Sequence, residues 1–317
     1  MKTVVVGTVA YDAIETPFGK TDKVLGGSAM YIGMAASYFL KKVGGNAENP
    51  EIGLVSVVGD DMAQEHRDRF RAMGIDTKGI EVKEGEKSFF WSGKYHMDMN
   101  SRDTLVTDLN VLADFDPKVP EEYRNAEVLM LGNIDPKLQI QVIEQMEKRP
   151  SLIVMDTMNF WMDISRETLD KAISMVDVLT INDEEARQLS GEYSIVKAAR
   201  KILEMGPRYL IIKKGEHGAL LFHGNQVFFA PALPLEEVFD PTGAGDTFAG
   251  GFVGHLSRTG DISFANMKRA IIFGSTMASF CVEKFGPERL YNLSEEEIDH
   301  RIQSFIDLVQ VDIELVA

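Results

Sequence analysis

Short, unbroken apolar runs recur along this chain, and most are followed by a stretch with helical periodicity. The runs are 3–9, 52–58, 127–131, 152–156, 177–181 and 209–213. The helical stretches are 28–40, 61–73, 136–148, 165–175 and 194–204. A strand without polar alternation has both faces covered, and helices in the connections supply the cover. The pattern predicts an α/β fold: a three-layer, doubly wound, mostly parallel central sheet with helices on both faces. Residues 218–222 and 226–230 flank His223-Gly224-Asn225 and read as an antiparallel hairpin at the sheet edge. Helices near 243–258, 262–283 and 294–309 follow. With 44 % hydrophobic residues and no internal repeat, 1–317 reads as one domain.

Two segments break this rhythm. Residues 11–25 and 86–108 alternate polar and apolar positions with no helix between, and the second carries Phe89-Phe90-Trp91-Ser92-Gly93-Lys94-Tyr95. They are expected to pair into a small β-sheet outside the main domain, a lid.

Charge and composition remove whole classes of partner. The formal net charge of −16 repels nucleic acid and anionic membranes, so neither is expected as a partner. It leaves room for a nucleotide, because a few amides and cations bind phosphate inside a negative protein. No apolar run approaches the ~20 residues of a membrane span. The N-terminus enters a strand without a signal-peptide pattern, which points to a cytoplasmic protein. The single cysteine, Cys281, lies in the apolar run 278–282 and reads as core. His66, His96, His217, His223, His255 and His300 show no metal-ligand spacing.

The strongest chemical signal is Asp240-Pro241-Thr242-Gly243-Ala244-Gly245-Asp246-Thr247-Phe248-Ala249-Gly250-Gly251. Small residues before a helix let backbone amides approach an anion, and the helix N-terminus adds unpaired N–H groups and partial positive charge. Together they form an anion hole. Asp246, in the first turn, would stand beside it, placed to take the proton of an attacking hydroxyl. An ordinary helix cap is the competing reading. A dinucleotide fingerprint needs a third glycine where Phe248 stands. Gly19-Lys20-Thr21 imitates the end of a P-loop, but Ile14 occupies the place of its first glycine.

The run Asp240–Gly251 resembles the C-terminal signature of the ribokinase-like (PfkB) carbohydrate and nucleoside kinase family. The resemblance implies an ATP- and Mg2+-dependent transfer of the γ-phosphoryl group to a hydroxyl of a small sugar. A nucleoside acceptor is the alternative, and a non-catalytic sugar- or nucleotide-binding regulator a more distant one. Gly243, Ala244 and Gly245 are then the anion hole and Asp246 the general base. Asp12, after the first strand, corresponds to the family's carboxylate for substrate hydroxyls, and Gly26-Gly27 to the lid hinge that contacts substrate. Tyr31 stands where many sugar kinases carry an asparagine, and it either meets the acceptor or packs beneath the lid. Arg102, in the lid, resembles the arginine that reaches the transferred phosphate in nucleoside kinases.

On the nucleotide side the resemblance assigns Lys213, Gly215, Gly218 and Thr242, with the segment near Ala278 and Gly286 over the adenine. Asn182 and Glu185 fit the family's N-x-x-E pattern, which places Glu185 on Mg2+ through water. The same spacing is also a capping box, and Ser294…Glu297 repeats it at a terminal helix. A monovalent cation such as K+ near Asp240–Thr242 and a homodimer through the lid are further expectations from the family. At Asp156 relatives often show Asp-x-Asn, whereas here the spacing is one residue longer. Trp161, with Phe89 and Trp91, is a candidate aromatic wall for the acceptor.

Overall fold

The computed structural model describes residues 1–40 and 50–310; the remainder of the expected 1–317 domain lies outside the described residues. The chain opens with β1 (Thr3–Val6), then leaves the core as the hairpin β2 (Ala10–Thr16) and β3 (Gly19–Gly26). Helix α1 (Ser28–Leu40) leads to β4 (Ile52–Gly59), α2 (Gln64–Ala72) and β5 (Ile75–Lys83). A second excursion forms β6 (Phe90–Tyr95) and β7 (Arg102–Asp108). The strand–helix alternation then resumes with β8 (Val128–Leu131), α3 (Pro136–Gln145), β9 (Leu152–Asp156), α4 (Asn159–Ile164) and α5 (Arg166–Ser174). It continues through β10 (Val178–Asn182), α6 (Asp183–Ser190), α7 (Ile195–Glu204) and β11 (Tyr209–Lys213). The hairpin β12 (Ala219–His223) and β13 (Gln226–Ala230) precedes α8 (Ala244–Thr259), α9 (Phe264–Cys281) and α10 (Glu295–Val309).

The main sheet has nine strands in the order β13-β12-β11-β10-β9-β8-β1-β4-β5. It is parallel from β5 through β11, and the edge pairings β11–β12 and β12–β13 are antiparallel, so β12 alone runs against the rest among the described strands. Successive residues of a strand feed opposite cores, as the two-residue period demands. Val5, Leu54, Met130 and Val154 pack with α1, α8 and α9, while Val4, Val55, Leu129 and Ile153 pack with α5, α6 and α7. This is the three-layer arrangement that the continuous apolar runs predicted.

The excursions form a separate four-stranded sheet, β3-β2-β6-β7. Each is an antiparallel hairpin, and β2 and β6 join them side by side in parallel. The expected first strand, 3–9, ends at Val6 because the chain crosses here from one sheet to the other. The crossing is clamped: Thr8 N–H donates to Ser28 Oγ (3.1 Å), and Ser28 N–H donates to Thr8 Oγ1 (2.9 Å). Strand β5 had no counterpart among the expected strands. It is an edge strand that is mostly half-buried or exposed and carries Asp76, Lys78 and Gly79, so its sequence resembles a polar connection.

Candidate active site

The C-terminal ends of the parallel strands bring the charged residues of the chain's centre together. Strand register aligns Asp156 of β9 with Thr180 of β10, and Asn182 with Lys213 of β11. From that edge Lys213 Nζ reaches Asp156 Oδ2 at 2.8 Å, with the lysine side chain 18 % exposed and the aspartate 8 %. The N-terminus of α8 points at the same place. A Cβ built on Gly245 would come within 3.2 Å of Lys213 Nζ, so the ammonium lies against the glycine turn.

The turn's shape is set by its neighbours. Gly243 caps α8 with φ +74°, a backbone region costly for other residues. A side chain there would also overlap the ring of Tyr31. Asp240 is fully buried and ties two segments together: Oδ1 accepts from Thr242 N–H (2.9 Å) and Oδ2 from Gly286 N–H (2.8 Å). Ala244 N–H donates to the Pro241 carbonyl at 3.2 Å. Thr247 N–H likewise donates to the Gly243 carbonyl at 2.7 Å, so the first-turn amides left for the expected hole are those of Gly245 and Asp246. Cys281 is buried, donates to the Thr242 carbonyl (3.6 Å) and packs beneath the loop, as its apolar run indicated.

Burial and mutual repulsion raise several carboxyl pKa values here. Asp246 is pushed up to about 7, chiefly by burial and then by Asp156, against the pull of Lys213 and Arg102. Glu185 rises to about 7 for the same leading reason, opposed by Lys213. Asp12 rises to about 8 through burial and the charges of Asp240 and Asp246. Lys213 moves the other way from what burial dictates: Asp156 and Glu185 outweigh desolvation and hold its pKa above the ordinary value. The cluster is therefore short of positive charge, a state that Mg2+ or another cationic group would relieve.

The lid closes the other side. Asp12 lies on β2 with its carboxylate against Gly26 at the end of β3, and Gly27 follows with φ +96°, where a Cβ would overlap the Thr8 carbonyl. Thr242 Oγ1 donates to the Tyr95 hydroxyl (3.2 Å), a direct tie between the lid and the glycine loop. Arg102 opens β7, 5.8 Å from the Trp91 ring centroid, and it lowers the pKa values of both Asp246 and Glu185. Asp12, Asp246, Glu185, Lys213 and Arg102 are thus brought to one place from five separate parts of the chain.

Other expected residues have different surroundings. Tyr31 is 1 % exposed, with its ring beneath Gly243, so it supports the glycine loop and offers no open aromatic face to an acceptor. Asn182 is occupied in a capping box: its Oδ1 accepts from Glu185 N–H (2.8 Å), and Glu185 Oε2 accepts from Asn182 N–H (2.7 Å). Trp161 donates to Asn133 Oδ1 (2.9 Å) and meets Phe160, while Trp91 is on the lid. No ring contact joins the two tryptophans among the described residues.

A cavity of about 690 Å³ runs from Lys213 and Gly245 past Gly215 and Gly218 to Ala278 and Val282. Its size falls within the ~300–1,000 Å³ of small-molecule sites. Gly218 also has a structural reason to be glycine, because a Cβ there would overlap the Ala230 carbonyl of the β12–β13 hairpin. Two contributors escaped the sequence reading. Asp156 was noted for its spacing but not as the partner of Lys213, and the lid turn at Asp98–Asn100 was not connected with this cavity. The signals for Asp156 were its place at the end of an apolar run and the family's Asp-x-Asn spacing, and neither names Lys213 as its partner.

This combination of fold and site is the frame of a ribokinase-like phosphotransferase. The chain belongs to the pfkB family of carbohydrate kinases, whose model matches residues 2–291. It is 31 % identical over 259 residues to a cytidine kinase of Thermococcus kodakarensis, covering 80 % of this chain and 88 % of that protein. A ribokinase of Arabidopsis thaliana is 25 % identical over 279 residues, covering 84 % and 67 %. Among solved structures, the nucleoside kinase of Burkholderia thailandensis in complex with ADP and inosine superposes with a TM-score of 0.77. It is 21 % identical and covers 96 % of each chain. The chain is accordingly a kinase with a hydroxyl acceptor, a sugar or nucleoside kinase of the ribokinase group. Among the described residues no helix is long and apolar enough to cross a membrane.

Proposed function

We propose that this chain transfers the γ-phosphoryl group of ATP to a hydroxyl of a sugar, or of the sugar moiety of a nucleoside, with Asp246 as general base. The observation that carries the reading is the position of Asp246: in the first turn of α8, beside Lys213, with its pKa raised to about 7. A carboxylate with that pKa is ionised often enough at neutral pH to accept a proton, and basic enough to hold it.

Asp12 orients the acceptor. Its carboxylate is 5 % exposed and crowded by Asp240 and Asp246, so hydroxyl donors arriving there would favour its ionised form. The amides of Gly245 and Asp246 would serve the phosphoryl oxygens, while Lys213 and Arg102 offset charge on the phosphates. Thr242, Gly215 and Gly218 shape the nucleotide side. The lid excludes water from the transfer.

Kinases of this family use ATP with Mg2+. When bound with the nucleotide, the ion would offset phosphate charge, and Glu185 is the side chain that would meet it. Among the described residues no group of three or more His, Cys, Asp or Glu side chains forms a metal cage. Glu185, held by the capping box at the edge of the cluster, is the residue proposed to meet Mg2+ through water.

A nucleoside acceptor has a specific argument in its favour: the 31 % identical relative is a cytidine kinase. Cytidine, inosine and adenosine therefore belong beside ribose and other sugars in a coupled assay of ATP consumption. Turnover with one of them is expected, and failure with every acceptor would overturn the reading. With that acceptor, Asp246→Asn should lower kcat by about 10²–10⁴-fold while binding of an ATP analogue stays near normal. A kcat within twofold of the unmodified enzyme would remove Asp246 from the role of base.

A further inference from the structure

The turn between β6 and β7 lies at the far end of the lid from its hinge, yet Asp98, Met99 and Asn100 line the cavity assigned above to the nucleotide. The contact is close. A Cβ on Gly215 would overlap Asn100 Oδ1, so the glycine after β11 leaves room for the lid turn as well as for any ligand.

This turn is built, not slack. Met99 has φ +54°, and Met99 and Asn110 are the only non-glycine residues with positive φ among those described. A long side chain in left-handed backbone is unfavourable and persists only where its surroundings impose it. Here the surroundings are an aspartate-centred turn. Asp98 Oδ1 accepts from Asn100 N–H (3.1 Å), Ser101 N–H (2.9 Å) and Ser101 Oγ (2.8 Å), while Asn100 Nδ2 donates to the Asp98 carbonyl (3.0 Å). These bonds hold the Asp98 pKa below its ordinary value and engage its charge within the turn. They also fix Met99 and Asn100 at the cavity wall, whereas Met97 is 80 % exposed.

We infer that the β6–β7 turn of the lid, through Met99 and Asn100, is a binding surface for the nucleoside triphosphate, so that one lid closes over acceptor and phosphoryl donor together. The inference rests on reading the cavity as the nucleotide site. Its chemistry is a thioether side chain against the apolar part of the nucleotide and an amide oxygen for a ligand donor. By linkage, a nucleotide that holds the turn down also favours the closed lid, and acceptor affinity rises with it.

The test is titration calorimetry with ADP as the probe and no acceptor present. It compares the unmodified chain with Met99→Gly and Asn100→Ala. Met99→Gly relieves the left-handed backbone, so the variant is expected to fold with an unchanged or higher Tm, leaving contact loss as the cause of any change. Each variant is expected to bind ADP about tenfold more weakly. Dissociation constants within twofold of the unmodified chain for both variants would overturn the inference and leave the kinase reading intact. Failure of the unmodified chain itself to bind ADP would overturn the nucleotide assignment of the cavity, and this inference with it.

Discussion

Asn182…Glu185 and Ser294…Glu297 are the same capping motif in two places. In both, the first residue's side chain accepts from the glutamate N–H, and the glutamate carboxylate accepts from the first residue's N–H. The hydrogen bonds differ by a few tenths of an ångström at most. Their carboxyl pKa values are driven in opposite directions. Glu297 is drawn down to about 2 by the Ser294 amide, and Arg289 adds to the effect at 2.6 Å. Glu185 is pushed up to about 7, because burial outweighs both its capping bond and Lys213. A motif that satisfies backbone donors therefore does not fix the chemistry of its carboxylate. The side of the molecule on which it lies decides, through the water it loses and the charges it meets.

Glutamine keeps an oxygen acceptor for either cap and removes the charge, so it separates the two roles. Glu185→Gln is expected to lower kcat/KM by about 10–100-fold and to raise the Mg2+ concentration needed for half-maximal rate. Glu297→Gln should leave both within twofold. Equal effects in steady-state kinetics would break the comparison.

The pH–rate profile gives an effect of similar size on the active-site side alone. The base must be ionised, so kcat/KM should rise with pH through about 7 and level off above it, with activity at pH 5 about a hundredfold below the plateau. A limb near pH 4 would mean that the cluster does not raise Asp246.

The smallest effects are on stability without nucleotide or Mg2+. Glu185 has a folded pKa above its ordinary 4.5, so the folded chain keeps a proton that the unfolded chain releases. Its contribution to stability is complete below 4.5 and declines as pH rises to about 7. Glu185→Gln should therefore gain in Tm relative to the parent across that window, by about 2–5 °C at its upper end. Glu297 has the opposite sign. Its pKa is depressed, so its contribution is present above 4.5 and lost as pH falls through about 2. Glu297→Gln should lower Tm slightly at neutral pH, with the difference vanishing near pH 2. Thermal unfolding of the variants from pH 2 to 8 checks both signs.

Much of this molecule was legible in the chain because its signals are local. Apolar runs such as Leu152–Asp156 and Tyr209–Lys213 specify strands covered on both faces, and the intervening helical periodicity specifies the cover. The glycine turn that starts α8 is visible within a few residues of sequence. Strand β5 was not legible, because an exposed edge needs apolar residues on one face only and carries charge on the rest. Tyr31 illustrates the limit within the site. Its sequence position left open an acceptor contact or packing, and the structure lays its ring beneath Gly243, more than two hundred residues away in sequence.

The sequence alone determined the doubly wound sheet, the lid segments and Asp246 at the start of a helix, because each follows from residue type and short-range spacing. Only the tertiary structure decided that Lys213 pairs with Asp156, that the Glu185 and Glu297 carboxyls are shifted in opposite directions, and that a lid turn lines the cavity beside Lys213. Those outcomes depend on distances between residues far apart in the chain and on how much water remains between them, and neither quantity is written in local sequence.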